Sequence, residues 1–127
     1  MMGLFNVGVK AIIENEGKVL LLRKNDFWDT PGGRIDGDET TEETLRRELA
    51  EELPGIANVQ VGKMLYATRL PGMTFGDHGL FLVWYHVAAD FPAGVQVSDE
   101  HQEYRWCTKE EVAELASAGI REAVEAR

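Results

Sequence analysis

"PGGRIDGDETTEETLRRELAEELPG", residues 31–55, places Glu48, Glu51 and Glu52 at helical spacing, where like charges repel. The helix is well signalled. Thr40 and Glu43 have the spacing of a capping box, and Pro54 disfavours helical geometry at Leu53, so a helix is expected from Thr40 to about Leu53. An α-helix advances about 100° per residue, so with Leu45 at zero, Leu49 and Leu53 fall at roughly 40° and 80° and define the buried stripe. On that wheel Glu52 lies about 20° and Glu48 about 60° from Leu45, with Glu51 further round the same flank. Glutamate-rich helices usually present a solvated face, opposite the apolar stripe. These carboxylates crowd its edge instead. A hard divalent cation, Mg²⁺ or Mn²⁺, removes the conflict. Arg47 reaches Glu43 or Glu51 at i±4, or orients Glu48 through the tertiary structure.

Outward from this helix, Phe5–Ile13 reads as a strand, with Val7, Val9, Ala11 and Ile13 on one face. Residues 14–18 form a turn with Gly17 free to take a positive φ, and the apolar run 19–23 completes a hairpin. "FWDTPGG" (27–33) is a short extended piece. Residues 59–70 read as a strand, 71–79 as a loop, 80–89 as a central strand, 91–101 as a long loop and 103–108 as a short strand. Thr108 and Glu111 form a second capping box that opens a helix. Gly119 is expected to interrupt it before a last short helix. Strands, helix, strands and helix in that order imply a mixed sheet with helices packed on it.

The 127 residues suit one domain, expected over 1–127, with 44% hydrophobic and 28% charged residues, an ordinary globular mixture. No apolar run approaches the ~20 residues that span a bilayer, so no membrane partner is expected. The start, "MMGLFNVGVK", lacks the charge and core of a signal peptide. Cys107 is the lone cysteine, so no internal disulfide can form, which fits a reducing cytoplasm. The net charge of -9 disfavours a nucleic-acid polymer as partner. A small anionic substrate remains compatible if local cations screen it. Residues 36–47 fail the EF-hand pattern, and no Walker A lysine follows the glycine pair. His78, His86 and His101 form no metal-binding pair, and His86 is expected to be packed in its apolar strand.

Residues 33–55 resemble the Nudix box, G-x5-E-x7-R-E-U-x-E-E-x-G-U, where U is a bulky aliphatic residue. Gly33, Glu39, Arg47, Glu48, Leu49, Glu51 and Glu52 stand in register. "WDTPGG" (28–33) is similar to the strand that leads into the box. Asp36 stands where many members have Glu. Pro54 departs from the family's glycine and Gly55 from its aliphatic residue, so the turn after the helix is either built differently or shifted by one residue.

The resemblance implies an α+β Nudix fold, a mixed β-sheet sandwiched between helices (α/β/α). It implies metal-dependent hydrolysis of a diphosphate bond in a nucleoside diphosphate linked to another moiety: ADP-ribose, a sugar nucleotide or a nucleoside triphosphate. Glu48, Glu51 and Glu52 would bind Mg²⁺ or Mn²⁺ with help from Glu39, and Arg47 would orient Glu48. The general base would be Glu48 or an acid outside the box. "SDEHQEYRW" (98–106) offers Asp99, Glu100 and Glu103, with Glu100 ranked first and Glu103 second. Gly32, Gly33, Arg34, Trp28 and Arg69 are the candidate substrate contacts, with Arg23, Phe27 and Phe75 behind them. Pro71, 16 residues beyond the box, carries a loose association with ADP-ribose hydrolysis. The alternative is a non-catalytic Nudix-like sensor, a class that usually loses box carboxylates and carries an added domain. A homodimer is compatible with all of this.

Overall fold

The computed structural model describes residues 3–127, apart from the side chain of Phe75. Its spine is β1 (Phe5–Asn15). Val9 and Ala11 to Ile13 are all buried, so this strand is covered on both faces. A two-residue turn at Glu16–Gly17, with φ of 53° and 79°, leads into β2 (Lys18–Lys24). Positive φ at both positions matches the twist of the flanking strands. β3 (Phe27–Asp29) pairs with β2, and β4 (Gly32–Arg34) returns to pair with Gly8–Lys10 of β1. The extended piece expected over 27–33 is therefore two strands, divided at Thr30–Pro31. α1 (Thr41–Glu52) follows, with the Thr40–Glu43 capping box formed as expected.

β5 (Ala57–Phe75) and β6 (His78–Asp90) form a long hairpin, and β6 pairs in parallel with β1. The loop expected over 71–79 shrinks to a two-residue turn at Gly76–Asp77. Its turn-forming residues are tolerated because β5 is an edge strand, where proline is admitted. Gly72, with φ of 77°, falls within the register shift between Leu70 and Thr74 and absorbs it as a bulge. β7 (Glu103–Cys107) pairs with β2, and α2 (Lys109–Leu115) and α3 (Ala118–Glu125) close the chain. The helix break falls at Ala116–Ser117, not at Gly119. Gly119 lies inside α3, where a Cβ would come within 2.8 Å of the Trp84 ring. Close helix–sheet packing, not interruption, is what requires glycine there.

Two apolar layers hold the sheet between helices. Leu45 and Leu49 of α1 and its C-cap residue Leu53 pack on Val9, Ala11, Ile13, Leu20, Leu22 and Val87. Val112, Ile120, Ala123 and Val124 of α2 and α3 pack on Ile12, Val19, Leu21 and Trp84 from the other face. Each of the three leucines is fully buried, contributing roughly 1.5–3 kcal/mol, so α1 is firmly seated over β1 and β4. No helix among the described residues is long and apolar enough to cross a membrane.

Candidate active site

The seating of α1 decides where its glutamates go. Glu52 is only 6% exposed, as its place beside the leucine stripe demands. Its Oε1 accepts a 2.7 Å hydrogen bond from the backbone N–H of Gly32. Burial pushes the Glu52 carboxyl up to about 7, against the opposite pull of the Gly32 N–H and the charge of Lys10; Glu48 and Glu100 add to the rise. Glu48 lies over Gly33, where an added Cβ would stand 2.2 Å from its carboxyl carbon. Gly32 has φ of 141°, and a Cβ there would stand 2.2 Å from the Val9 carbonyl oxygen. The two glycines of "PGG" thus seat the two innermost carboxylates.

Arg47 gathers the others. Its Nε and Nη2 donate to the two oxygens of Glu39 at 2.7 and 2.9 Å, and its Nη1 donates to Glu48 Oε1 at 2.9 Å. Nη1 also stands 3.6 Å from Glu51, and Nη2 donates to the Arg34 carbonyl at 3.2 Å. Of the two i±4 partners, Glu51 is approached, while Glu43 is used by the cap, where it accepts from the Thr40 N–H. Glu39 Oε1 accepts further bonds from the Asp36 N–H and the Thr44 hydroxyl. The Arg47 guanidinium, with these donors, holds the Glu39 carboxyl down at about 2. Asn6, Arg34, Ile35, Asp36, Arg47 and Glu48 line a polar cleft of about 420 Å³.

The loop ahead of β7 supplies the third wall. The Ser98 N–H donates to the Glu52 carbonyl at 3.0 Å, and the Gln102 N–H donates to the Arg23 carbonyl at 2.9 Å. Pinned at both ends, the loop brings Glu100 and His101 to Glu52, with one donor atom from each of the three within 4.8 Å of the others. Glu103 is turned away into an ion pair with Arg23 at 3.1 Å. The side-chain geometry thus separates Glu100 from Glu103.

Not every candidate joins this constellation. Arg34 lines the cleft, but Trp28 packs against the opposite apolar layer. Arg69 is exposed on β5, 5.6 Å over the Phe5 ring. Phe27 is 75% exposed at the sheet edge, and the side chain of Phe75 lies outside the described residues. His86 is not packed in the core; it is partly exposed and pairs with Glu14 at 2.9 Å. A larger groove of about 510 Å³, bounded by Asn58, Asp90, Phe91 and Trp106, includes no candidate residue. Two neighbours of the site escaped the sequence reading. Lys10, 9% exposed, pairs with Asp29 at 3.0 Å, and His101 sits beside Glu52. The alternation of Val7, Val9, Ala11 and Ile13 puts Lys10 on the other face of its strand, so no sequence signal marked it before the structure showed both faces covered.

The NUDIX domain family description matches residues 4–126. The chain belongs to the Nudix family. A CTP pyrophosphohydrolase of Escherichia coli (strain K12) is 34% identical over 120 residues, spanning 88% of this chain and 84% of that protein. The nucleoside triphosphatase NudI of Escherichia coli (strain SE11) is 28% identical over 126 residues, spanning 82% of each. Among solved structures, the Escherichia coli ORF135 protein superposes with a TM-score of 0.79 at 31% identity, covering 98% of this chain and 89% of that one. A MutT protein from Methanosarcina mazei Go1 gives 0.79 at 26% identity, covering 98% and 94%. The α+β fold with its mixed sheet is therefore the Nudix fold, and the chain is a Nudix-type pyrophosphohydrolase.

Proposed function

We propose that this Nudix domain hydrolyses nucleoside triphosphates to a nucleoside monophosphate and pyrophosphate, using Mg²⁺ or Mn²⁺ held by Glu48, Glu51 and Glu52. The observation that carries the reading is the seating of Glu52: a buried carboxylate fixed by the Gly32 N–H, with Glu48 and Glu100 adding negative charge around it. Such a set is costly without a positive partner, and oxygen donors of this kind suit hard divalent ions. A cation there would neutralise diphosphate charge and make a water molecule more acidic.

The chain's own groups divide the remaining work. Arg47 fixes the Glu48 carboxylate and is itself fixed by Glu39. Glu39 accepts four hydrogen bonds, so its contribution runs through Arg47, and direct contact with the cation would displace one of them. Glu100, exposed beside Glu52, is assigned as the base that takes a proton from the attacking water. Arg34, on the cleft wall, is assigned to the substrate phosphates, and the Gly32–Gly33 backbone to shaping their approach. Trp28, packed on the opposite apolar layer, and Arg69, over the Phe5 ring, are given no substrate contact. The relatives named for CTP and for nucleoside triphosphates favour those substrates, and Pro71, the hint toward ADP-ribose, stands exposed in β5.

The test is a panel of CTP, the other nucleoside and deoxynucleoside triphosphates, ADP-ribose and sugar nucleotides, each with Mg²⁺ and with Mn²⁺, products followed by ³¹P NMR. At least one triphosphate should yield monophosphate and pyrophosphate with kcat/KM about tenfold or more above that for ADP-ribose, within the reach of pocket discrimination. A preference for ADP-ribose overturns the substrate class. Binding without turnover across the panel supports the sensor instead.

A further inference from the structure

We infer that His101 is a nitrogen ligand of the cation held by Glu52, which makes the site a mixed oxygen and nitrogen one. The inference rests on the metal site proposed above and adds a residue outside the Nudix box. The His101 side chain is 9% exposed, and its Nε2 faces Glu52 Oε2 at 3.9 Å, beyond hydrogen-bond length. Its Nδ1 is buried and has no hydrogen-bond partner among the described residues. A buried polar group left unpaired costs about 1–3 kcal/mol, and native structures rarely leave one without a reason.

Among the described residues the ring makes no hydrogen bond at either nitrogen, and Nε2, the one that faces the carboxylate, is the nitrogen open to a cation. Ligand atoms about 2.1 Å from one ion and at right angles to each other stand about 3 Å apart, so a side-chain rotation that draws His101 toward Glu52 completes the pair. Glu100, assigned above as the base, has an oxygen within 4.8 Å of the same pair. The loop bonds from Ser98 to Glu52 and from Gln102 to Arg23 hold the His101 backbone facing α1, so this imidazole is a built wall of the site. Imidazole is a softer donor than carboxylate, and its presence favours Mn²⁺ and Co²⁺ over Mg²⁺.

The test reads the metal directly. Mn²⁺ is titrated into the 127-residue chain and followed by electron paramagnetic resonance, with electron spin-echo modulation recorded on the complex. The wild type should show coupling to a directly bound nitrogen, and ¹⁵N-histidine labelling should change it. His101→Gln should lose that coupling and bind Mn²⁺ about 10–100-fold more weakly, with Mg²⁺ affinity less affected. His101→Asn serves if the glutamine variant does not fold. Mn²⁺ bound by the wild type without histidine coupling overturns the inference and leaves the metal site standing. So does coupling that survives in His101→Gln. Absence of Mn²⁺ binding by the wild type removes the metal site itself. Loss of binding in Glu52→Gln with unchanged binding in His101→Gln keeps the site and rejects the histidine.

Discussion

At the scale of single residues, Gly32 and Gly33 do different things side by side. A Cβ on Gly33 would meet the Glu48 carboxyl carbon at 2.2 Å and both its oxygens at 2.5 Å. That group is the far end of a flexible side chain, so Gly33→Ala should displace the carboxylate and leave the fold standing. We expect kcat to fall at least about tenfold, a loss of about 1.4 kcal/mol in the transition state, with the thermal midpoint nearly unchanged. Gly32→Ala meets backbone instead, the Val9 carbonyl, at a φ of 141° that side chains avoid. It should cost about 1–3 kcal/mol or more in urea denaturation. Both glycines were legible as motif positions. Their service to Glu48 and Glu52 was not, because it depends on α1 lying across β4. Glu52 was the easier residue: the leucine stripe alone located it at the buried edge. His101 was illegible, since only the pinned loop turns it toward α1.

At the scale of elements, the exit of α1 explains its odd sequence. The Ile56 N–H donates to the Leu53 carbonyl at 3.0 Å, and Gly55 has φ of 88°. Pro54 and Gly55 therefore occupy the central positions of a type II turn, where proline and then glycine are favoured. Both sequence alternatives hold together: the turn is built around proline, and the glycine has moved one place on, with Ile56 supplying the aliphatic contact against the core. Gly55→Ala should cost about 1 kcal/mol because it forces a side chain into positive φ, and Pro54→Gly about 0.4–1 kcal/mol through the unfolded chain. Neither should change kcat, since the carboxylates precede the turn; a loss of activity in Pro54→Gly would show that the exit does more than end the helix. α1 was legible almost to the residue because cap and stripe are local signals. The β5–β6 hairpin was not. Pro71, Gly72 and Gly76 look like a loop until it is known that, among the described residues, no strand pairs with β5 on its outer side, and that is a property of the sheet.

At the scale of the whole molecule, the site sets how stability responds to pH. The Glu52 carboxyl rises from the ordinary 4.5 to about 7 on folding, chiefly by burial. Between those values the folded state holds a proton that the unfolded chain has released. Without a cation, this contribution is fully present below pH 4.5 and is lost as pH rises to about 7, a change on the order of 3 kcal/mol. Glu39 works in the opposite sense at lower pH: held at about 2 by Arg47, it contributes stability above pH 4.5 that fades as pH falls toward 2. Glu52→Gln keeps the acceptor for the Gly32 N–H and removes the charge. In EDTA, calorimetry at pH 8 should therefore find Glu52→Gln more stable than the wild type by a similar amount, with the two close at pH 4.5. The same variant, like Glu48→Gln, should lack turnover with Mg²⁺ or Mn²⁺. Adding Mn²⁺ should raise the wild-type midpoint much more at pH 8 than at pH 5.5, because the cation binds the ionised carboxylate and proton release is part of binding. Glu52→Gln should lose most of that gain. A wild-type stability that is flat from pH 4.5 to 8 in EDTA, or a variant with full Mg²⁺-dependent activity, would show that the buried carboxylate is not the seat of the cation. The expected pattern makes the fold's least comfortable residue the one its activity requires, with stability given up at working pH and recovered when the metal arrives.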